Sequence, residues 1–126
     1  MSKPRVLLIE DDVWLADSYV RVLRNEYSLV VVTSSDAALE AIDDGVFELI
    51  IADVMLENGL VIDLFHELQS HLDTMNIPNI LCSSLASSMN LSDLKTYGVV
   101  DILDKSTMTL EILRIAMQRA LALRVQ

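Results

Sequence analysis

Five short apolar runs punctuate the chain, and between them apolar residues recur every three or four positions. The runs are Arg5–Ile9 (RVLLI), Ser28–Val32 (SLVVV), residues 48–53 (ELIIAD), Asn79–Ser83 (NILCS) and residues 99–103 (VVDIL). Their apolar and β-branched content predicts strands, and the run Leu49, Ile50, Ile51 and Ala52 reads as one buried on both faces. Leu15, Tyr19, Val22 and Leu23 predict a first helix over residues 13–26, with Asp12 either its N-cap or a third member of the acidic run Glu10-Asp11-Asp12. A second helix, DAALEAIDD, is capped by Ser34 or Ser35 and stopped by Gly45, and a third carries Leu60, Leu64, Leu68 and Leu72 at a spacing of four. Residues 87–98 predict a short polar helix closed by Gly98, and a last helix begins at Thr107 or Thr109 and runs to about Arg124. Strands alternating with helices at this spacing imply β-α-β units, so the expected fold is α/β: a five-stranded parallel sheet flanked by helices on both faces.

Composition narrows this picture without changing it. With 126 residues, 52% of them hydrophobic, and with no internal repeat or linker-like stretch, the chain reads as one domain spanning 1–126. No apolar stretch approaches the roughly 20 residues of a membrane span, and acids interrupt the first apolar run too early for a signal peptide, so a cytoplasmic location is expected. The formal charge of −10 opposes direct binding to nucleic acid or to an anionic membrane. Cys82, the only cysteine, sits inside an apolar run and reads as a small buried hydrophobe.

The candidate chemistry lies at the strand ends. Glu10 and Asp11 follow the first strand, Asp53 ends the third, Ser83 ends the fourth and Lys105 follows the fifth. In an open parallel sheet the crevice outside the carboxyl ends of the strands is where ligands bind, so parallel strands would gather these groups on one edge. Clustered carboxylates repel unless a cation neutralises them, and an oxygen-only donor set suits Mg²⁺ or a similar hard ion. Trp14 is expected to shield this acid group or pack beside it, and His66 and His71 to sit on the surface of the third helix.

At these residues the chain resembles the receiver domain of two-component response regulators, over essentially its whole length. The family has an acid pair after the first strand, a phosphorylated Asp after the third, a Ser or Thr after the fourth and a Lys after the fifth. Here Ser83 follows Asp53 by 30 residues and Lys105 follows Ser83 by 22, and GVVDILDK (98–105) resembles the family's closing segment. The resemblance implies a (βα)5 flavodoxin-like receiver fold. It further implies that Asp53 takes a phosphoryl group from a phosphohistidine of a sensor histidine kinase or phosphotransfer protein. Mg²⁺ would be held by Asp11, Asp53 and the backbone carbonyl of Met55, with Glu10 acting through water. Lys105 would pair with Asp53 and then with the phosphoryl oxygens, while Ser83 hydrogen-bonds the phosphate and is drawn inward.

Several positions depart from that pattern. Glu57 stands where the family has Pro, Val61 replaces a later glycine, and Ser106 replaces the Pro that follows the lysine. A cis bond before a non-proline costs about 2.5–4 kcal/mol, so Lys105-Ser106 is expected to be trans. Ile102 occupies the switch position that carries Tyr or Phe in the family, and it has no ring to swing. Either the switch is a smaller repacking of the fourth helix and fifth strand, or signalling uses another face.

Two other classes share parts of this pattern. A phosphatase-like hydrolase wants a second acid two residues after its nucleophile, and Asp53-Val54-Met55 lacks it. A receiver-like interaction module that never turns over phosphate is the other alternative, suggested by Ile102, Ser106 and Glu57. The chain is expected to be a signalling domain rather than an enzyme, with no output segment after the fifth helix. The terminal ALALRVQ leaves open whether it stands alone or belongs to a longer regulator. Apolar residues on two faces of the last helix, with Ile112, Ile115 and Leu123 away from the main stripe, leave surface for a partner or a homodimer through the last helices. Met55 and Leu85 occupy positions that in the family influence how water reaches the acyl phosphate. Both are apolar, so phosphorylated Asp53 should dephosphorylate slowly; a lifetime of seconds, followed by loss of label from the isolated protein, would contradict this.

Overall fold

The computed structural model describes residues 3–56 and 59–125, and side chains for these except 55, 56, 59, 60, 124 and 125. Five strands, β1 (Arg5–Ile9), β2 (Ser28–Val32), β3 (Leu49–Asp53), β6 (Asn79–Ser83) and β7 (Val99–Asp104), form one parallel sheet in the order β2-β1-β3-β6-β7, while β4 (Met55–Leu56) and β5 (Gly59–Leu60) pair apart from it. The chain steps from β1 outward to β2, then returns to the other side of β1 for β3. That reversal opens a crevice between the carboxyl ends of β1 and β3. The expected α/β architecture is therefore present.

Alternation along the strands divides the interior in two. Val6, Leu8, Leu49, Ile51, Ile80, Cys82 and Leu103 point to one face, where α1 (Val13–Leu23) adds Ala16, Tyr19 and Leu23, and α5 (Leu110–Val125) adds Leu113, Ala116, Met117 and Ala120. Leu7, Ile9, Ile50, Ala52 and Leu81 point to the other, against Ala38 of α2 (Ser35–Asp44) and Val61, Leu64, Phe65 and Leu68 of α3 (Val61–Gln69). Every residue from Leu49 to Ala52 is buried, which explains why the sequence there reads as a continuous apolar run. Cys82 behaves as the small hydrophobe expected, with burial pushing its thiol up to about 12.

The helix ends follow local chemistry. Asp12 caps α1, its side chain accepting from Leu15 N at 3.1 Å, and Ser34 rather than Ser35 caps α2 through Ala37 N. Thr109 Oγ1 accepts from Ile112 N, which places the start of α5 at the second of the two candidate threonines. The polar segment after β6 is a 3-10 turn (Ala86–Ser88), a four-residue helix α4 (Leu91–Leu94) and a second 3-10 turn (Lys95–Tyr97). Gly98 closes it at φ 80°, where a side chain would meet Gln69 and Asn79.

Three expectations are corrected. The spacing-of-four leucines overreach the third helix: Leu60 belongs to a two-residue ribbon formed by β4 (Met55–Leu56) and β5 (Gly59–Leu60), and Leu72 lies past Gln69 at 90% exposure. The face that packs is instead Val61, Leu64, Phe65 and Leu68, because a helix buries a stripe at mixed spacings of three and four, not at four alone. His66 is an exposed residue of α3, whereas His71 is exposed but lies beyond the helix, where it meets Glu67. Trp14 neither shields nor packs, since it points into solvent at 86% exposure. Glu57 and the side chain of Met55 lie outside the described residues. No described helix is long and apolar enough to cross a membrane.

Candidate functional site

The crevice between β1 and β3 receives its groups one strand at a time. Glu10 follows β1 and is fixed by its own N–H, which donates to Val32 O at the end of β2 at 3.0 Å. Its side chain is buried, and burial raises its carboxyl above the usual range. The Lys105 ammonium and the N–H of Asp12, which donates to Glu10 Oε2 at 3.2 Å, pull in the opposite direction. Asp11 stays exposed at the rim. Asp53 closes β3, half-buried, opposite Cys82 in the parallel ladder. One oxygen each of Glu10, Asp11 and Asp53 falls within 4.8 Å of the others. The three acids of the run thus divide their work: two face the crevice, and Asp12 holds the start of α1.

Lys105 arrives from the far side of the sheet. Its N–H donates to Ser83 O at 3.1 Å, carrying the β6–β7 ladder one residue beyond the strands. The ammonium then donates to Asp53 Oδ2 at 2.7 Å and to Glu10 Oε1 at 2.8 Å. Partial burial alone would lower its pKa, but the bonds to the two carboxylates outweigh this and hold it above the ordinary lysine value. Ser106, in place of a proline, closes the turn differently. Both its N–H and its hydroxyl donate to Asp104 Oδ1, at 2.9 and 2.7 Å, and the described residues contain no cis peptide, as expected for Lys105-Ser106.

Ser83 is buried at the end of β6, and its Oγ accepts from Leu85 N at 2.9 Å. Ile102 lies half-buried on β7 against the interior beneath α2 and α3. The structure therefore brings Glu10, Asp11, Asp53 and Lys105 directly together, sets Ser83 beside them through the Lys105 backbone, and leaves Ile102 one layer away. Tyr19 sits on the apolar stripe of α1 as expected, and its buried hydroxyl has no hydrogen-bond partner among the described residues.

Three carboxylates against one ammonium leave two formal negative charges on oxygen donors alone. That set fits a hard divalent cation, which needs only one or two protein carboxylates and completes its shell with water or phosphate oxygens.

The family model described as response regulator receiver domain matches residues 6–117. Among solved structures, the chain superposes on a sensor protein from Polaromonas sp. JS666 with a TM-score of 0.89 and 22% identity, covering 98% of this chain and 99% of that one. A CheY-like response regulator receiver domain protein from Methanospirillum hungatei JF-1 gives 0.86 at 20% identity, with 98% and 97% covered. The receiver domain of a sensor histidine kinase from Pseudomonas aeruginosa PAO1, which has a magnesium ion coordinated in its active site cleft, gives 0.80 at 18% identity, with 96% and 99% covered. At these identities the likeness establishes the fold. No curated protein matches the sequence.

Replacing Lys105 tests the electrostatics of the crevice. Because the folded pKa of Glu10 is raised, its ionisation opposes folding as pH rises through that value, and Lys105 limits the loss. Lys105→Met should therefore be destabilised by on the order of 2 kcal/mol at pH 7, because Glu10 and Asp53 lose the ammonium that partners them. The difference from the parent should narrow as pH falls toward the carboxylate range; urea unfolding at pH 7 and at pH 4 reads it.

Proposed function

Since the chain belongs to the response regulator receiver domain family, we propose that Asp53 accepts a phosphoryl group from the phosphohistidine of a sensor histidine kinase or phosphotransfer protein, in a reaction that requires Mg²⁺. The P–N bond to the donor imidazole breaks as a P–O bond to the Asp53 carboxylate forms, and the imidazole leaves with the electron pair. The product is an acyl phosphate. Asp11, Asp53 and the backbone carbonyl of Met55 would hold Mg²⁺, with Glu10 acting through water. The bound ion supplies the positive charge that lets an anionic phosphate approach an anionic nucleophile.

The observation that carries this reading is Lys105 bridging Asp53 and Glu10 at 2.7 and 2.8 Å beside a carboxylate cluster. Its ammonium is a compact charge on a flexible stem, able to leave a carboxylate oxygen and follow the phosphoryl oxygens. Ser83 contributes its hydroxyl once drawn away from Leu85 N, and this movement is what converts phosphorylation into a change of shape. Output then passes to a protein partner, since a net charge of −10 disfavours nucleic acid. Ile112, Ile115 and Leu123, exposed along α5, offer apolar surface for such a partner or for a second copy of the chain.

Intact-mass measurement after incubation with a small phosphodonor tests the reading. One phosphoryl group should appear with Mg²⁺, little without it, and none in Asp53→Asn; absence of label in the parent with Mg²⁺ would leave only an interaction module. With Ile102 at the switch position, the response beyond the crevice should be muted. Amide chemical-shift changes on binding a phosphoryl mimic should concentrate near residues 10, 53, 83 and 105, and strong changes across residues 87–102 would argue for a full switch.

A further inference from the structure

Charge is unevenly spread along the chain. Residues 25–94 hold twelve of the nineteen acids and none of the nine lysines and arginines, so α2, β3 and α3 belong to a stretch of one sign. On its surface a groove runs between α2 and α3 toward the amino ends of β3 and β6, at the edge of the sheet opposite the crevice. It has two recesses, of about 240 and 260 Å³, which share Ile42, Asp43, Asp73 and Thr74.

The groove is apolar within and acidic at its rim. Ile42 and Leu68 line it together with Val46, which stands 69% exposed just past α2, and Leu72 and Met75 are exposed on either side of Asp73 and Thr74 in the chain. Asp43, Asp44 and Asp73 are exposed and form no ion pair among the described residues, while Glu67 meets His71 at 3.3 Å. Among the described residues, only Glu10, Asp11 and Asp53 converge closely enough for three acids to hold one ion, so the acids of the rim suit charges spread along a ligand. The floor is preformed. Thr74 is buried and its hydroxyl donates to Leu68 O at 2.7 Å, while the N–H groups of Thr74 and Met75 both donate to His71 O, which ties the segment after α3 back onto the helix.

We propose that this groove docks a basic amphipathic segment of a partner protein, whose apolar side chains enter the two recesses and whose lysines or arginines meet Asp43, Asp44 and Asp73. Charge complementarity selects this occupant. A stretch with twelve acids and no lysine or arginine repels nucleic acid and anionic membranes, and a second copy of the chain brings a net charge of −10 into the same field. The rim charges speed the encounter and reject wrong partners, while the apolar side chains in the recesses supply the affinity. Because the groove lies at the opposite edge of the sheet from Asp53, docking there leaves the crevice free and does not depend on phosphotransfer.

The probe is a helical peptide of leucine and lysine with every leucine on one face, titrated into the full chain and followed by chemical shifts. Shifts should concentrate at Ile42, Asp43, Val46, Asp73 and Thr74, and a peptide of the same composition with its leucines dispersed should bind about tenfold more weakly. Asp43→Asn combined with Asp73→Asn changes only exposed positions, and should weaken the patterned peptide about five- to tenfold and flatten its salt dependence. Val46→Ser should weaken it with the salt dependence unchanged. Equal binding of the two peptides, or shifts centred on residues 10, 11 and 53, would mean that the acids gather any polycation, and would overturn the proposal. Absence of binding would overturn it too, as would dimerisation of the chain that shifts the same groove residues, since that assigns the face to a second copy.

Discussion

An ammonium held between two carboxylates from different strands is the contact on which the arrangement of the crevice depends. Glu10 leaves β1, Asp53 ends β3 and Lys105 follows β7, so a single cation ties three strand ends that are not sequential neighbours. Removing its counter-charge would leave a buried carboxylate and a half-buried one facing each other across the crevice, an arrangement that only a cation makes stable. The same contact makes the site poised rather than neutral. Two negative charges remain uncompensated, and they are what an incoming divalent ion would meet.

The parallel sheet makes this convergence unavoidable once the strands are in register. Every strand delivers its last residue to the same edge, and the reversal of strand order between β2 and β3, on either side of β1, leaves the gap there unroofed. Asp12 shows how little separates structure from site. Its side chain ends the first turn of α1, while its backbone N–H steadies Glu10, so the start of that helix and the depth of the crevice are set by one residue.

Much of this was legible beforehand because the relevant signals are local. Apolar runs of five residues, a cap at Ser34 or Ser35 and a helix stop at Gly98 are each decided within a turn of chain, whereas the choice of Ser34 and of Asp12 as caps needed the structure. The convergence of Glu10, Asp11, Asp53 and Lys105 was legible because parallel strands share their polarity. The misreadings concern information that sequence spacing does not hold. Leu60 and Leu72 extend the leucine series of the third helix on paper, but Gly59–Leu60 pairs back on Met55–Leu56 and the helix stops at Gln69. Trp14 was misjudged because a large apolar side chain one turn from a crevice says nothing about which way it faces.

The burial of β3 on both faces has a less obvious corollary for how the chain finds its alignment. In a strand with one wet face, a slip by one residue turns the whole apolar set toward water, and that penalty fixes the pairing. Leu49, Ile50, Ile51 and Ala52 are apolar at every step, so the alternation of apolar and polar residues does not fix the pairing of β3 as it would in a one-faced strand. Side-chain packing has to do so, and a slip would also break the meeting of Asp53 with Lys105. The polar groups at the tip therefore add to the interior in setting the central strand, and the residues of the crevice share in aligning the fold.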